Sequence, residues 1–421
     1  MYALIDCNNF FVSCERLFNP KLANKPVVVL SNNDGCVIAR SNEAKSIGIK
    51  MGEPVFKIKE FIEKNDVAVF SSNYNLYGDI SNRVMNTIIT VVDNIEVYSI
   101  DEAFVDLTNY KYHDLAEIGV LIKERVFQWV GIPVSIGIAP TKTLAKVASK
   151  LSKKQNDYNG VCVLLSKEDI DKVLIDFPVE DLWGVGRKIS KHLKNIGINT
   201  AKQLLEMNEA FIQRNFTITG LRLVQELKGI SCIKIENIIP PKKNICTSRS
   251  FGKMVSDFSA LAEAVSNFAA RCAEKLRRQK SCCNMILVFL NTNPFRDDLK
   301  QYYRYIFIPL PVATSSTSEI IHYALIGLQS IYKSGYAFKK AGIIVSEIIP
   351  SNQVQQNLFD AIDRERVNKL METLDKLNNK MGRDKVKMVS QGTGKREWKL
   401  RQEQLSPSYT TNWNEILEVK A

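Results

Sequence analysis

A multidomain α+β fold is what the sequence predicts, and three observations carry the prediction. Periodic apolar segments in the first 166 residues follow the order βαββαβ, the same order returns from residue 246 to residue 348, and a glycine-punctuated helical stretch separates the two. At 421 residues the chain is longer than one ordinary core supports, and 45% hydrophobic residues are enough to fill roughly two to four domains.

The elements follow in order. Tyr2–Cys7 reads as a strand, Asp79–Val92 as a helix, Glu96–Ile100 and Ala103–Leu107 as strands, His113–Val130 as a helix and Val134–Ala139 as a strand. In the split βαβ arrangement the first and third strands lie side by side and antiparallel. The end of the first strand then abuts the start of the third, so Asp6 is expected to meet Asp101 and Glu102. Between the first strand and its helix lies an insertion, 19–78, with strands at Val27–Leu30 and Val67–Phe70 and the turn Asn32-Asn33-Asp34-Gly35. A strand at Val161–Leu165 precedes short helices over 167–238, and Ile239-Pro240-Pro241-Lys242-Lys243 reads as a linker. Beyond it, strands at Cys246–Phe251, Asn284–Asn291, Tyr302–Ile308 and Ala341–Ile348 and helices at Phe258–Gln279 and Ser316–Tyr332 repeat the βαββαβ order without a sequence repeat. The tail after Pro350 is polar, with an amphipathic helix around Arg364–Leu377.

Lys plus Arg outnumber Asp plus Glu by 57 to 45, a formal charge of +12, which favours phosphate-rich polymers as partners. A membrane is not expected: apolar runs such as Met285–Leu290 fall far short of the ~18 residues of a spanning helix, and no basic leader precedes the first apolar run. Nine cysteines show no Cys-x-x-Cys spacing, which fits a reducing cytosol, and three scattered histidines argue against histidine-driven catalysis.

Adjacent acids at Asp101-Glu102 between two short apolar runs are costly unless something binds them. One reading is an acidic cap on an exposed turn; with Asp6 converging, the other is a divalent metal site of hard oxygen ligands. Two such ions about 3.5–4 Å apart serve phosphoryl transfer. Lys142, Lys146 and Lys150 lie four apart on one helical face and Lys153 and Lys154 extend the row, a stripe that suits either solvent or a bound anion. Gly184-Val185-Gly186 precedes Arg187, Lys188 and Lys191, a turn able to present backbone amides to a phosphate or simply to turn the chain. Residues 242–280, Arg249 among them, carry nine Lys or Arg against three Asp or Glu, half of the net charge. Phe10 and Phe11 follow the first strand, where paired rings serve the core by default or press on a sugar and exclude a 2′-hydroxyl. Gln355-Gln356-Asn357-Leu358-Phe359 offers two apolar anchors in a polar stretch, suited to docking in a partner's pocket.

Asp6 through Glu15, Ser99-Ile100-Asp101-Glu102-Ala103-Phe104, and Ser135-Ile136-Gly137-Ile138-Ala139 leading into Lys142 resemble the Y-family translesion DNA polymerases. Val29 through Arg40 and Leu405-Ser406-Pro407-Ser408-Tyr409-Thr410-Thr411 are similar to the UmuC branch of that family, and the resemblance spans essentially the whole chain. It implies a right-hand architecture: a palm over 1–18 and 79–166, fingers over 19–78, a helical thumb with a helix-hairpin-helix turn over 167–238, a little finger over 243–350, and a clamp- and partner-binding tail over 351–421. It also implies an SOS-induced, error-prone polymerase that extends a primer on template DNA with dNTPs. Asp6, Asp101 and Glu102 would be catalytic and would hold two Mg²⁺ ions, with Mn²⁺ as a substitute, and the Cys7 carbonyl would be a further ligand. Phe11, beside Phe10, would be the sugar gate, at a position where relatives often carry Tyr. Asn42, Lys45 and Lys153 would neighbour the triphosphate. Elsewhere in the family the contacts matching Asn42 and Lys45 are commonly Tyr and Arg, and lysine is a point charge where arginine is a planar fork. DNA contacts would fall on Lys142, Lys146, Gly184, Gly186, Arg187, Lys188 and Arg249. Gln355, Leu358 and Phe359 would engage a sliding clamp, and a UmuD-type dimer and a RecA filament would be partners in a bacterial cytoplasm, near the nucleoid. A palm-type nucleotidyl cyclase and an inactive DNA-binding scaffold are the alternatives.

Overall fold

The computed structural model describes every residue except 111–112, 155, 237–239, 356, 395–397 and 419–421. Ile239 of the expected linker and Gln356 of the expected clamp peptide therefore lie outside the described residues. The chain divides into two compact units, one of Met1–Ser31, Gly35–Ile239 and Gln404–Ala421, the other of Asn32–Asp34 and Pro240–Glu403.

In the first unit, β1 (Tyr2–Cys7) leads into α1 (Phe10–Leu17), which Asn9 opens from the left-handed region at φ 47°. The insertion folds as β2 (Val27–Leu30), β3 (Val37–Arg40) and β4 (Ala68–Ser71) in the order β3-β2-β4, with the short helices α2 (Asn42–Ser46) and α3 (Lys59–Lys64) between β3 and β4. The helix expected at Asp79–Val92 is α4 (Tyr74–Ile89), started five residues earlier because the Asn73 side chain accepts from Leu76 N at its first turn. Then come β5 (Ile95–Val97), β6 (Glu102–Asp106), α5 (Leu115–Val130), β7 (Val134–Ala139), α6 (Lys142–Lys154) and β8 (Val161–Val163).

These strands form one sheet in the order β5-β6-β1-β7-β8. The first and third strands of the βαββαβ pattern, β1 and β6, are antiparallel neighbours as the topology requires. The sheet buries both faces, and the period-2 alternation of β1 sorts them. Ala3, Ile5 and Cys7 join the core under α4 and α5, whereas Tyr2 and Leu4 join the core that includes Leu144, Val147 and Ala148 of α6. Helices α7 (Lys167–Asp176), α8 (Arg187–Asn195), α9 (Ala201–Leu205) and α10 (Glu209–Leu227) extend that second core, and Leu174, Leu193, Leu204 and Leu227 belong to it.

In the second unit, β9 (Ile245–Val255), α11 (Phe258–Arg278), β10 (Ser281–Asn291), β11 (Tyr303–Thr314), α12 (Thr317–Ile331) and β12 (Phe338–Pro350) reproduce the expected element order. Their sheet runs β11-β10-β12-β9, so here the first strand is an edge and the last is central. The same order of elements thus packs into two different sheets. The helix expected around Arg364–Leu377 is α13 (Arg364–Met381), and it is fastened to α11 by a two-pronged ion pair, Arg277 Nε and Nη2 each 2.7 Å from Asp375. Met371 is buried beneath it, and Trp398 packs edge-on against Phe268, 5.6 Å between centroids. Of the clamp- and partner-binding tail expected over 351–421, residues up to Glu403 belong to the second unit and those from Gln404 to the first. No helix among the described residues is long and apolar enough to cross a membrane.

Candidate active site

Asp6 lies directly opposite Glu102 in the β1–β6 register, and Cys7 N donates to the Asp101 carbonyl at 2.8 Å. The expected convergence of Asp6, Asp101 and Glu102 on one sheet end is what the backbone shows. By strand alternation Asp6 shares its face with Leu4, and Glu102 shares that same face with Phe104, which is the α6 side of the sheet.

Helix α6 comes close because of Gly137 on β7. A Cβ there would stand 2.0 Å from Ser149 N and 2.3 Å from Ala145 O, so only glycine lets the helix lie on the strand at this point. The lysine stripe of α6 then faces acids rather than solvent. Lys142 Nζ is 2.6 Å from Glu96, Lys146 Nζ 3.0 Å from Glu102, Lys153 Nζ 2.5 Å from Asp6, and Lys150 pairs with Asp181. Lys142 and Lys146, expected at the DNA, are thus each paired with an acid of the fold. Lys142 is buried, also donates to the Lys234 carbonyl at 2.9 Å and lies over the Phe104 ring, while Lys146 sits over Tyr98 at 4.6 Å. Repulsion within the stripe is relieved by acids of the fold itself.

The bend that carries Asp101 is built on Ser99, whose hydroxyl accepts from Asp101 N (3.2 Å) and Glu102 N (3.0 Å) and donates to Asp101 Oδ1 (2.5 Å). Ser99, and not either acid, therefore caps this bend, and the half-buried Asp101 and Glu102 stand beside Asp6. Burial pushes the Asp6 carboxyl up to about 6, Lys153 opposes the rise, and Glu102 and Asp101 add to it. Burial likewise raises the Cys7 thiol well above its ordinary range, so the neutral thiol persists and only its carbonyl suits a hard cation. Among the described residues no three His, Cys, Asp or Glu side chains are gathered as a metal cage. The donors suit a divalent cation by chemistry, but ammonium groups hold two of the three acids.

A second group of polar side chains borders the first. Lys45 Nζ donates to Asn9 Oδ1 at 2.6 Å and to Asn42 Oδ1 at 3.3 Å, and Asn9 Nδ2 donates to Asn42 Oδ1 at 3.0 Å. Burial lowers the Lys45 ammonium, and the nearby charges of Arg40 and Lys153 lower it further against the pull of Asp6. Three cations, Arg40, Lys45 and Lys153, thus share one neighbourhood with Asp6. Arg40 was not singled out by sequence, although it ends a strand two residues before Asn42. Its Nε is buried and lacks a partner among the described residues. Asn9 and Ser99 were missed as well, since their roles are contacts and not spacings.

Phe10 is buried in the core, and Phe11 packs against that core while staying partly exposed. Phe11 stacks on Tyr77 with centroids 4.5 Å apart and planes at 15°, and Tyr74 meets it edge-on at 6.0 Å. Gly184 adopts φ +89° and Gly186 caps α8, whose Arg187 and Lys188 are exposed. In the second unit Arg249 is exposed on β9, and Gln355, Leu358 and Phe359 are exposed, Leu358 at 100% and Phe359 at 92%.

A family model described as the impB/mucB/samB family matches residues 5–150, the model of its C-terminal domain matches 242–358, and a domain of unknown function (DUF4113) matches 368–419. Protein UmuC of Salmonella typhimurium is 44% identical over 423 residues, covering 100% of both chains. The chain belongs to the impB/mucB/samB family. DNA polymerase IV 1 of Bacillus subtilis, 31% identical over 298 residues, shares 69% of this impB/mucB/samB chain and 70% of its own. A solved Y-family DNA polymerase chimera of Dbh and Dpo4 superposes with a TM-score of 0.66 at 22% identity, covering 83% of this chain and 99% of that one. The impB/mucB/samB chain thus has the Y-family polymerase fold. Its two sheet-bearing units and the helices between them are consistent with the palm, fingers, thumb and little finger expected of that fold.

Proposed function

We propose that the end of the palm sheet where Asp6, Asp101 and Glu102 meet is where this protein performs nucleotidyl transfer. As a member of its family it is an error-prone translesion DNA polymerase. The observation that supports the location is the direct pairing of Asp6 with Glu102 beside Lys45, Lys153 and Arg40: acids at the reacting end, cations where a triphosphate needs them.

Asp6, Asp101 and Glu102, with the Cys7 carbonyl, would hold the divalent ions, magnesium or manganese. Such ions, when bound, neutralise charge on the phosphate oxygens and make the primer hydroxyl a better nucleophile. The primer 3′-hydroxyl attacks the α-phosphate of the dNTP and pyrophosphate leaves. Lys45 and Lys153 give the leaving pyrophosphate its counter-charge, and Asn42, held by Asn9, orients Lys45. Lys153 pairs with Asp6, which keeps its ammonium beside the acids. Phe11 presses on the sugar and excludes a 2′-hydroxyl by bulk.

The exposed Arg187, Lys188, Gly184, Gly186 and Arg249 are assigned to the DNA backbone, where non-specific grip needs only charge and amides. The exposed Leu358 and Phe359 with Gln355 are assigned to a sliding clamp. A UmuD-type dimer and a RecA filament complete the proposed assembly in the bacterial cytoplasm, with no contact residues named for either. The experiment is primer extension by the full chain on intact and damaged templates. Asp101→Asn should abolish extension while DNA binding persists, and undiminished extension would refute the assignment.

A further inference from the structure

We infer that residues 404–412 form a strap that fixes the Phe11 ring, and that Ser406, Glu15 and Tyr77 are positioning residues for discrimination between deoxyribose and ribose. The inference rests on the reading of Phe11 as the sugar gate and extends it to residues that touch no substrate.

Phe11 and Glu15 are four apart on α1 and so lie on one side of it, a turn from each other. Tyr77 spans the pair. Its ring stacks on Phe11, and its hydroxyl donates to Glu15 Oε1 at 2.6 Å. Because Tyr77 is fully buried, its hydroxyl needs that acceptor, and the bond sets the position of the ring on which Phe11 rests. Phe11, partly exposed, owes its position to this packing.

Glu15 is itself held from the far end of the chain. Its Oε1 also accepts from Ser406 Oγ at 3.0 Å, across 391 residues. Ser406 Oγ and carbonyl each accept from Asn73 Nδ2 at 3.1 Å, and the Asn73 side chain caps α4, the helix that carries Tyr74 and Tyr77. Alongside, Ser71 N donates to the Gln404 carbonyl at 2.8 Å, and Tyr409 stacks on Phe18 at 4.6 Å, just past the end of α1. The strap therefore grips the two helices whose aromatic residues form the gate. Glu15, Asn73 and Ser406 are all at most 5% exposed, so no water stands ready to replace a lost partner. Burial raises the Glu15 carboxyl, and the two hydroxyl donors oppose the rise.

The test is single-nucleotide insertion by the full chain on a primed template, measuring kcat/KM for a dNTP and for its rNTP. Phe11→Ala calibrates the gate by raising the rNTP-to-dNTP ratio. Ser406→Ala and Tyr77→Phe should each raise that ratio about three- to ten-fold, the scale of one lost hydrogen bond. Ser406→Thr, which keeps the hydroxyl, should restore it. A loss that falls equally on both nucleotides, or an unchanged ratio beside a responsive Phe11→Ala, would overturn the strap and leave the gate standing. If Phe11→Ala itself leaves the ratio unchanged, the gate reading fails and the strap falls with it. Tyr77→Phe keeps the stacked ring, so the question is answered even if Ser406→Ala does not fold.

Discussion

Lys153 closes on Asp6 with its Nζ 2.5 Å from Oδ2, so the carboxylate proposed to bind a metal is covered by an ammonium in the free protein. A divalent cation must displace that ammonium. Lys153→Gln should therefore bind Mn²⁺ about two- to five-fold more tightly than the unaltered chain without nucleotide, the worth of a modest ion pair. The same variant should insert nucleotides more slowly, because the triphosphate loses a counter-charge. Mn²⁺ titration followed by electron paramagnetic resonance reads the first effect, and equal or weaker binding would contradict the exchange.

Gly137 makes a different kind of prediction. The added methyl of Gly137→Ala would run into α6 backbone at Ser149 N and Ala145 O, atoms that no side-chain rotation can move. Overpacking of this kind costs about 1–3 kcal/mol. Displacing α6 also carries Lys146 and Lys153 away from Glu102 and Asp6. Both the melting temperature and primer extension should fall together, and retained activity at unchanged stability would show that α6 does not set the site.

Glu15 provides a pH test of the buried network. Its carboxyl is raised above the ordinary 4.5 chiefly by burial, so the folded chain holds that proton more tightly than the unfolded chain does. The stability it contributes is full below the unfolded value and is lost as pH rises through the folded one, where an ionised carboxylate must be kept buried. Glu15→Gln cannot ionise. The melting temperature of the variant relative to the unaltered chain should therefore climb as pH rises above the ordinary carboxylate value of 4.5. A difference that stays constant above that value would show that Glu15 does not titrate there.

The five-stranded sheet was legible in sequence because period-2 strands and a split βαβ order leave few ways to pair β1, and those ways put Asp6 beside Glu102. The four-stranded sheet of the second unit shows the limit of the same argument. Its elements arrive in the same order, yet β9 lies at the edge and β12 inside, since element order constrains neighbours without choosing among all arrangements. The stripe of Lys142, Lys146 and Lys150 was visible as a helical face, but nothing local told what the face meets. Glu96, Glu102 and Asp181 come from three other segments. The strap was beyond reach for the same reason: the bond from Ser406 to Glu15 links residues that share no periodicity, and only the folded chain brings them together.

The exposed pair Leu358 and Phe359 separates recruitment from folding. At 100% and 92% exposed they bury almost nothing, so their removal should cost the fold little. A double replacement, Leu358→Ala with Phe359→Ala, should melt within about 1 °C of the unaltered chain, the usual range for surface changes. It should also extend a short linear primer without a clamp at the unaltered rate. If the segment docks in a clamp pocket, loss of both apolar anchors removes most of the contact energy, because a few buried side chains dominate such interfaces. Extension on a circular primed template loaded with clamp should then lose its stimulation. A variant that keeps full clamp stimulation would reject the docking role, whereas one that loses activity equally with and without clamp would place these side chains in the polymerase itself.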